Sequence, residues 1–277
     1  FIDYDQIAGL AKEHKPKLIM SGATAYPRLI DWQKLRDIAD SVGAWLVSDI
    51  SHIAGLVVAG EHPSPAGISD VIMTTTHKTL RGPRGALILA NGNTSNPLKK
   101  PERTVENIPS LIDRAIIPGL QGGPHNHQTA GIAVALGEAL QPEFREYGQQ
   151  VVKNAQKLAS ELMSRGFDLV TGGTDNHLMV INLTNKKISG KEAEVALCKA
   201  GITVNKNTVP FEPRSPFDPS GIRLGTPALT TRGMREDQMI QIADWIDQAI
   251  RGNKDDAKLA NIHDQIIEFA KNYPLPA

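Results

Sequence analysis

Asp70-Val71-Ile72-Met73-Thr74-Thr75-Thr76-His77-Lys78-Thr79-Leu80-Arg81-Gly82-Pro83-Arg84-Gly85 is the stretch on which the fold and the chemistry of this chain turn. It opens as an apolar run of the kind that forms a buried strand, breaks at Gly82-Pro83, and is followed by a second apolar run, Ala86-Leu87-Ile88-Leu89-Ala90. Lys78 therefore lies in a loop at the mouth of a strand. Most lysines are solvated surface ammoniums. This one shares its loop with His77, Arg81 and Arg84, and neighbouring cations favour the neutral amine that a Schiff base requires. Such a lysine needs a partner elsewhere in the chain.

Upstream, residues 5–14 carry Ile7, Leu10 and Ala11 at helical spacing and end at Lys15-Pro16. Leu18-Ile19-Met20 then reads as a short strand. Residues 31–42 place Trp32, Leu35, Ile38 and Ala39 on one helical face, with Gly43 as a stop, and Ala44-Trp45-Leu46-Val47 forms the next strand before Ser48-Asp49. This alternation predicts an α/β fold, a mostly parallel sheet with flanking helices. Ligands of such sheets bind outside the carboxyl ends of the strands, where both Asp49 and Lys78 fall.

Downstream, residues 91–124 are loop-rich, and residues 128–165 read as helix, ended or kinked by Pro142. The remainder alternates a strand at 178–183, a helix at 190–200, a strand at 202–204, a proline-rich loop at 210–219, a strand at 222–224, and helices at 235–251 and 257–272. That pattern predicts a smaller C-terminal α+β domain, with a boundary near residue 145.

Composition narrows the function. The 277 residues carry 30 basic and 30 acidic side chains, so no net basic balance points to nucleic acid or an anionic membrane. No apolar run approaches the ~20 residues of a membrane helix. The single cysteine, Cys198, excludes an internal disulfide and fits a reducing compartment, so a cytoplasmic location is expected. Within the 190–200 helix it is expected to be a small buried hydrophobe. The chain opens at Phe1 without a secretory signal or a methionine, and is expected to be a fragment.

Asp49 precedes Lys78 by 29 positions, a separation that fits one crossover between neighbouring strands. An acid at one strand end and an amine at the next can frame a flat ring. The lysine bonds an aldehyde and the carboxylate keeps a ring nitrogen protonated, which are the two demands of pyridoxal phosphate. An ordinary ion pair is the competing reading. His52 lies three residues past Asp49, but a Ser-His-Asp triad is not supported, since no nucleophile elbow is present. Gly122-Gly123 offers backbone amides to an anion such as phosphate, or simply forms a turn beside Pro124. His125-Asn126-His127 lacks further ligands, and no metal site is expected there. Arg223, in Gly221-Ile222-Arg223-Leu224-Gly225, needs an anionic partner if buried, either a substrate carboxylate or a structural one.

Five motifs, in order, resemble serine hydroxymethyltransferase: Ser48-Asp49-Ile50-Ser51-His52-Ile53-Ala54-Gly55-Leu56-Val57, the lysine stretch, Gly119-Leu120-Gln121-Gly122-Gly123-Pro124, Gly172-Gly173-Thr174-Asp175-Asn176-His177, and Ser220-Gly221-Ile222-Arg223-Leu224-Gly225-Thr226-Pro227-Ala228. The resemblance implies a fold-type I pyridoxal phosphate enzyme that moves a one-carbon unit between serine and tetrahydrofolate, giving glycine. It implies that Lys78 holds the cofactor, Asp49 pairs with the pyridine nitrogen, His52 lies near the ring substituents and the substrate carboxylate, and Thr24 bonds the phenolic oxygen. Thr75, His77 and Arg84 would support the same pocket, with Thr75 assisting exchange at the lysine. Arg223 would clamp the amino-acid carboxylate, Asn207 would contact folate, and Gly122 and Gly123 would reach the cofactor phosphate of a neighbouring subunit in a homodimer or homotetramer.

On this resemblance residues 1–127 are the C-terminal part of a large cofactor domain, 128–145 an interdomain helix and 146–277 a small domain. Roughly the family's first third would precede Phe1, with the glutamate that handles protons and the histidine that stacks on the ring. Pro118-Gly119-Leu120 departs mildly from the family's loop. Two alternatives remain open: a threonine or allo-threonine aldolase of the same fold type, and a non-catalytic fragment.

Overall fold

A computed structural model describes residues 1–91 and 108–275. The chain divides into two compact units, one of Phe1–Thr24 and Ile30–Arg145, the other of Ala25–Leu29 and Glu146–Ala277.

In the first unit, α1 (Tyr4–His14) starts where the Asp3 side chain accepts from Gln6 N at 2.9 Å, and ends at Lys15 in a left-handed conformation. Between α1 and β2 (Trp45–Asp49) run β1 (Leu18–Ser21) and α2 (Trp32–Val42), and α2 is capped by Asp31 and stopped by Gly43 at φ 66°. Trp32, Leu35, Ile38 and Ala39 are buried, as their spacing predicts. Arg36 on α2 pairs with Asp70 at 2.8 Å, and Asp70 also accepts from Leu46 N at 2.7 Å, fastening helix and sheet together. A short helix, α3 (Ala54–Ala59), follows β2, and then come β3 (Val71–Thr75) and β4 (Ala86–Ala90). The sheet order is β1-β2-β3-β4: β1 with β2 and β2 with β3 are parallel, β3 with β4 antiparallel.

The sheet is thus mixed, and its helical cover is less complete than the pattern suggests. Leu18 and Met20 on β1, and Ile88 and Leu89 on β4, are exposed, because these are the two outer strands of the sheet. Beyond the described gap lie α4 (Ile108–Arg114), an irregular helical turn over Ala115–Leu120, and α5 (Asn126–Ala139). The helical stretch expected over 128–165 breaks at Pro142, as expected, into two helices. Pro142 lacks an N–H to continue α5 and instead begins α6 (Pro142–Ser164).

The second unit has an antiparallel sheet of order β5-β6-β8-β7, made of β5 (Asp168–Leu169), β6 (Leu178–Asn182), β7 (Asn205–Asn207) and β8 (Gly221–Gly225). Its helices are most of α6, α7 (Gly190–Lys199), α8 (Pro227–Thr231), α9 (Glu236–Arg251) and α10 (Asp256–Ala270). Leu158, Leu162, Met179, Ile181, Leu197, Ile222, Met239 and Ile246 form its fully buried centre.

Two expectations are corrected here. The strand expected at 202–204 lies at Asn205–Asn207, because Ile202 N returns to Leu197 O at 2.8 Å around Gly201 (φ 83°) to close α7, and Ile202 and Val204 pack into the core instead of entering the ladder. Cys198 is exposed, not buried: Ala193, Ala196 and Leu197 make the inward face of α7, and position 198 falls on the outward one.

Candidate functional site

The site of the first unit is built at the carboxyl ends of β2 and β3. These strands pair in parallel with Asp49 opposite Met73, so the loops that follow Asp49 and Thr75 emerge on the same sheet edge. Asp49 Oδ1 accepts from Ser51 N at 2.8 Å, a local turn that aims the carboxylate. The buried Ser51 hydroxyl accepts from Thr75 N at 2.9 Å, tying one strand end to the next. Lys78 Nζ donates to Thr75 Oγ1 at 2.8 Å. A backbone loop fixes this lysine: Thr76 N bonds Gly85 O, Gly82 N bonds Thr76 O, Arg81 N bonds Lys78 O, and Arg81 turns the chain at φ 59°. Thr79 completes the stitching, donating to His52 O at 3.1 Å and accepting from Gly55 N at 2.9 Å. A side chain at Gly55 would strike Thr79 O at 2.3 Å, so only glycine permits this approach.

A cavity of about 160 Å³ opens beside these loops, lined by Met20, Ser21, Gly22, Ala23, Thr24, Asp49, Ser51 and His52. Gly22 (φ 132°) crosses so near Asp49 that a Cβ would lie 2.3 Å from its carbonyl oxygen. Thr24, Asp49 and His52 therefore share one cavity, and Ser51 of the same wall accepts from the backbone N of Thr75, whose hydroxyl receives Lys78 Nζ. His77 is held below the ordinary imidazole range by burial first and then by the charges of Lys78 and Arg84, against a hydrogen bond involving Gly85. Its Nδ1 is buried without a hydrogen-bond partner among the described residues, and both effects favour the neutral ring. Arg84 is exposed and acts on His77 through its charge.

The other residues singled out by sequence lie apart along the fold. Gly122 and Gly123 are exposed after the helical turn, and a Cβ at either would meet nothing within 4 Å among the described residues, so packing against those does not explain glycine there. Asn207 ends β7 opposite Gly221, with its Nδ2 donating to Thr208 O at 2.6 Å. Arg223, on β8, is half-buried, donates to Asn205 Oδ1 at 3.2 Å, and is pulled below its ordinary pKa by burial. Both belong to the second unit. Among the described residues no cluster of three His, Cys, Asp or Glu could hold a metal, and no helix is long and apolar enough to cross a membrane.

Sequence reasoning passed over Ser51 and Thr79. Ser51 carried a usable signal, since an Asp two residues before a Ser at a strand end is the pattern of an Asx turn. Thr79 carried none, because its partners are backbone groups 24 and 27 residues away.

The fold and site define an α/β protein with a lysine-aspartate pair at adjacent parallel strand ends. A family model described as serine hydroxymethyltransferase matches residues 1–246. Proteins named serine hydroxymethyltransferase from Sorangium cellulosum, Acidothermus cellulolyticus and Xanthomonas campestris pv. campestris are 53%, 52% and 51% identical to it, in each case over 99% of this chain. The chain belongs to the serine hydroxymethyltransferase family. It spans 62% of the length of the first two relatives and 63% of the third.

Proposed function

We propose that this chain carries the lysine-bearing part of a fold-type I pyridoxal phosphate enzyme that interconverts serine and glycine, with tetrahydrofolate as acceptor and donor of the one-carbon unit. Serine and tetrahydrofolate give glycine, 5,10-methylenetetrahydrofolate and water. The observation that carries this reading is the parallel pairing of β2 with β3, which brings Asp49 and the Lys78 loop to one sheet edge.

The residues present fit the cofactor. A carboxylate, hydroxyls and an imidazole line the cavity at Asp49, Ser21, Thr24, Ser51 and His52, and the amine of Lys78 stands in the loop that follows the neighbouring strand end. Bound pyridoxal phosphate supplies an electron sink for the charge left when a bond to the amino-acid α-carbon breaks. Lys78 would hold the cofactor by its ε-amine, with Thr75 Oγ1 orienting that amine. Asp49 would hold the proton on the ring nitrogen while Ser51 N fixes the carboxylate. Thr24 would donate to the phenolic oxygen, and His52 would face the ring substituents and the substrate carboxylate. Neutral His77 and charged Arg84 would complete the wall.

Arg223 would clamp the amino-acid carboxylate, because an anion offsets the desolvation that depresses its pKa. Asn207 would contact the folate. Gly122 and Gly123 would offer amides to a cofactor phosphate across a homodimer or homotetramer, consistent with their exposure. A cytoplasmic location is part of the proposal, and the single cysteine fits it.

The test is glycine formation from serine by the full chain with pyridoxal phosphate, with and without tetrahydrofolate. Strong folate dependence is expected. Equal cleavage without folate would contradict the transferase reading and favour the aldolase one.

A further inference from the structure

Every residue that lines the cavity comes from one of two segments of the first unit: Met20, Ser21, Gly22, Ala23 and Thr24 at the end of β1, and Asp49, Ser51 and His52 at the end of β2. The cavity is therefore the gap between two segments leaving neighbouring strands. β1 and β2 pair in parallel as far as Ser21 opposite Ser48. Beyond that pair the ladder stops and the segments part, with Gly22 crossing close over the Asp49 carbonyl. What joins the strands at this last pair sets the width of the gap.

Three hydroxyls meet there. Ser21 Oγ donates to Val47 O at 3.2 Å and stands 3.0 Å from Ser48 Oγ, which in turn stands 2.7 Å from Ser69 Oγ. Ser48 and Ser69 are buried, at 0% and 2% exposure, and Ser21 is half-buried. Each hydroxyl has one proton to donate, so only one order makes all three bonds: Ser69 donates to Ser48, Ser48 to Ser21, and Ser21 to Val47 O. The reverse order would leave the Ser69 proton buried with no acceptor among the described residues, and a stranded buried donor costs more than a spare lone pair. Ser21 thus fastens the end of β1 to β2 twice through its side chain, once at Val47 and once at Ser48.

We propose that Ser21 and Ser48 are positioning residues for the cavity: their hydroxyl bond is the tie that holds the wall of residues 20–24 at a fixed distance from Asp49. Ser69 orders the protons and is not part of the tie. The role is separate from that of Ser51, which joins the end of β2 to β3. The inference rests on the reading of this cavity as the one that receives pyridoxal phosphate.

The proton order gives the tie a signature that fold stability does not share, read on the full chain loaded with pyridoxal phosphate. Ser69→Ala leaves Ser48 donating to Ser21 and Ser21 to Val47 O, so amide exchange over residues 19–24 and the absorbance maximum of the bound cofactor should match the parent. Ser48→Ala breaks the tie and strands the Ser69 proton. Its urea midpoint should fall, exchange over residues 19–24 should rise about tenfold, as the loss of one buried hydrogen bond implies, and pyridoxal phosphate affinity should fall with a shifted absorbance maximum. The double variant, Ser48→Ala with Ser69→Ala, removes the stranded proton and keeps the tie broken. Its midpoint should rise back towards that of Ser69→Ala, while exchange, affinity and spectrum stay as in Ser48→Ala. Affinity and spectrum that return with the midpoint overturn the positioning role. Exchange unchanged in both Ser48→Ala and the double variant overturns the tie, and a double variant no more stable than Ser48→Ala overturns the proton order. If Ser48→Ala does not fold, the double variant measured against Ser69→Ala supplies exchange, affinity and spectrum. A parent chain that takes up no pyridoxal phosphate overturns the functional reading, while exchange and midpoints still decide the tie.

Discussion

Ser51 shows how one hydroxyl organises two strand ends. It donates its backbone N–H to Asp49 and accepts from Thr75 N, the residue that in turn receives Lys78. Ser51→Ala should cost about 1–2 kcal/mol in urea unfolding, because a partly buried N–H loses its acceptor. Asp49→Asn keeps an oxygen for Ser51 N and so should fold normally. It removes the charge opposite the proposed ring nitrogen, and turnover should fall about 10²–10³-fold. His77 contributes a pH dependence. Its folded pKa lies below the ordinary value, so in the imidazole range the unfolded chain binds protons more readily. Stability is therefore full above about pH 6.5 and declines as pH falls through that range, and a His77→Gln variant should flatten this part of the profile in thermal melts. At this scale the sequence disclosed that an acid and an amine stand beyond neighbouring strand ends, since those ends can be read from apolar runs. Ser51 and Thr79, whose partners are backbone atoms of another loop, left no such trace.

Among elements, the proline-rich loop between β7 and β8 is closed by one carboxylate. Glu212 accepts from Val209 N at 3.1 Å, Arg214 N at 3.0 Å, Ser220 N at 3.0 Å and Ser220 Oγ at 2.6 Å. Burial acts to raise its pKa, but the Ser220 hydroxyl and the three N–H donors outweigh it and hold the group at about 2, from an ordinary 4.5. A depressed carboxylate stabilises the fold above its unfolded pKa, and that contribution is lost as pH falls from about 4.5 towards about 2. Glu212→Gln should destabilise by about 1–2 kcal/mol at pH 7 and remove this acid slope. The long helices and inner strands could be read from their periodicity. β7 could not, because Ile202 and Val204 look like a strand but serve the core, whereas Asn205–Asn207, which is polar, makes the ladder. The short α3, only six residues long, offered too little periodicity to distinguish it from loop.

For the whole molecule, a close backbone approach helps hold the second unit together. Gly190 lies where a Cβ would stand 2.0 Å from Gly221 O, at the junction of α7 with β8. Gly190→Ala should therefore cost about 1–3 kcal/mol or more, read as a lowered denaturant midpoint. Order along the chain made the alternating first unit legible from sequence. The transfer of Ala25–Leu29 to the second unit was not, since it depends on bonds between residues about 145 positions apart, from Arg28 to Thr171 and Asp175. The family resemblance was legible because its motifs coincide with the strand ends and close approaches that the backbone requires, among them Gly55, Gly221 and Gly225. The account's central claim is that Lys78 is the cofactor lysine. Borohydride reduction of the full chain loaded with pyridoxal phosphate, followed by peptide mapping, tests it most directly. The label is predicted on the peptide containing Lys78, and a label fixed on any other lysine would contradict the account.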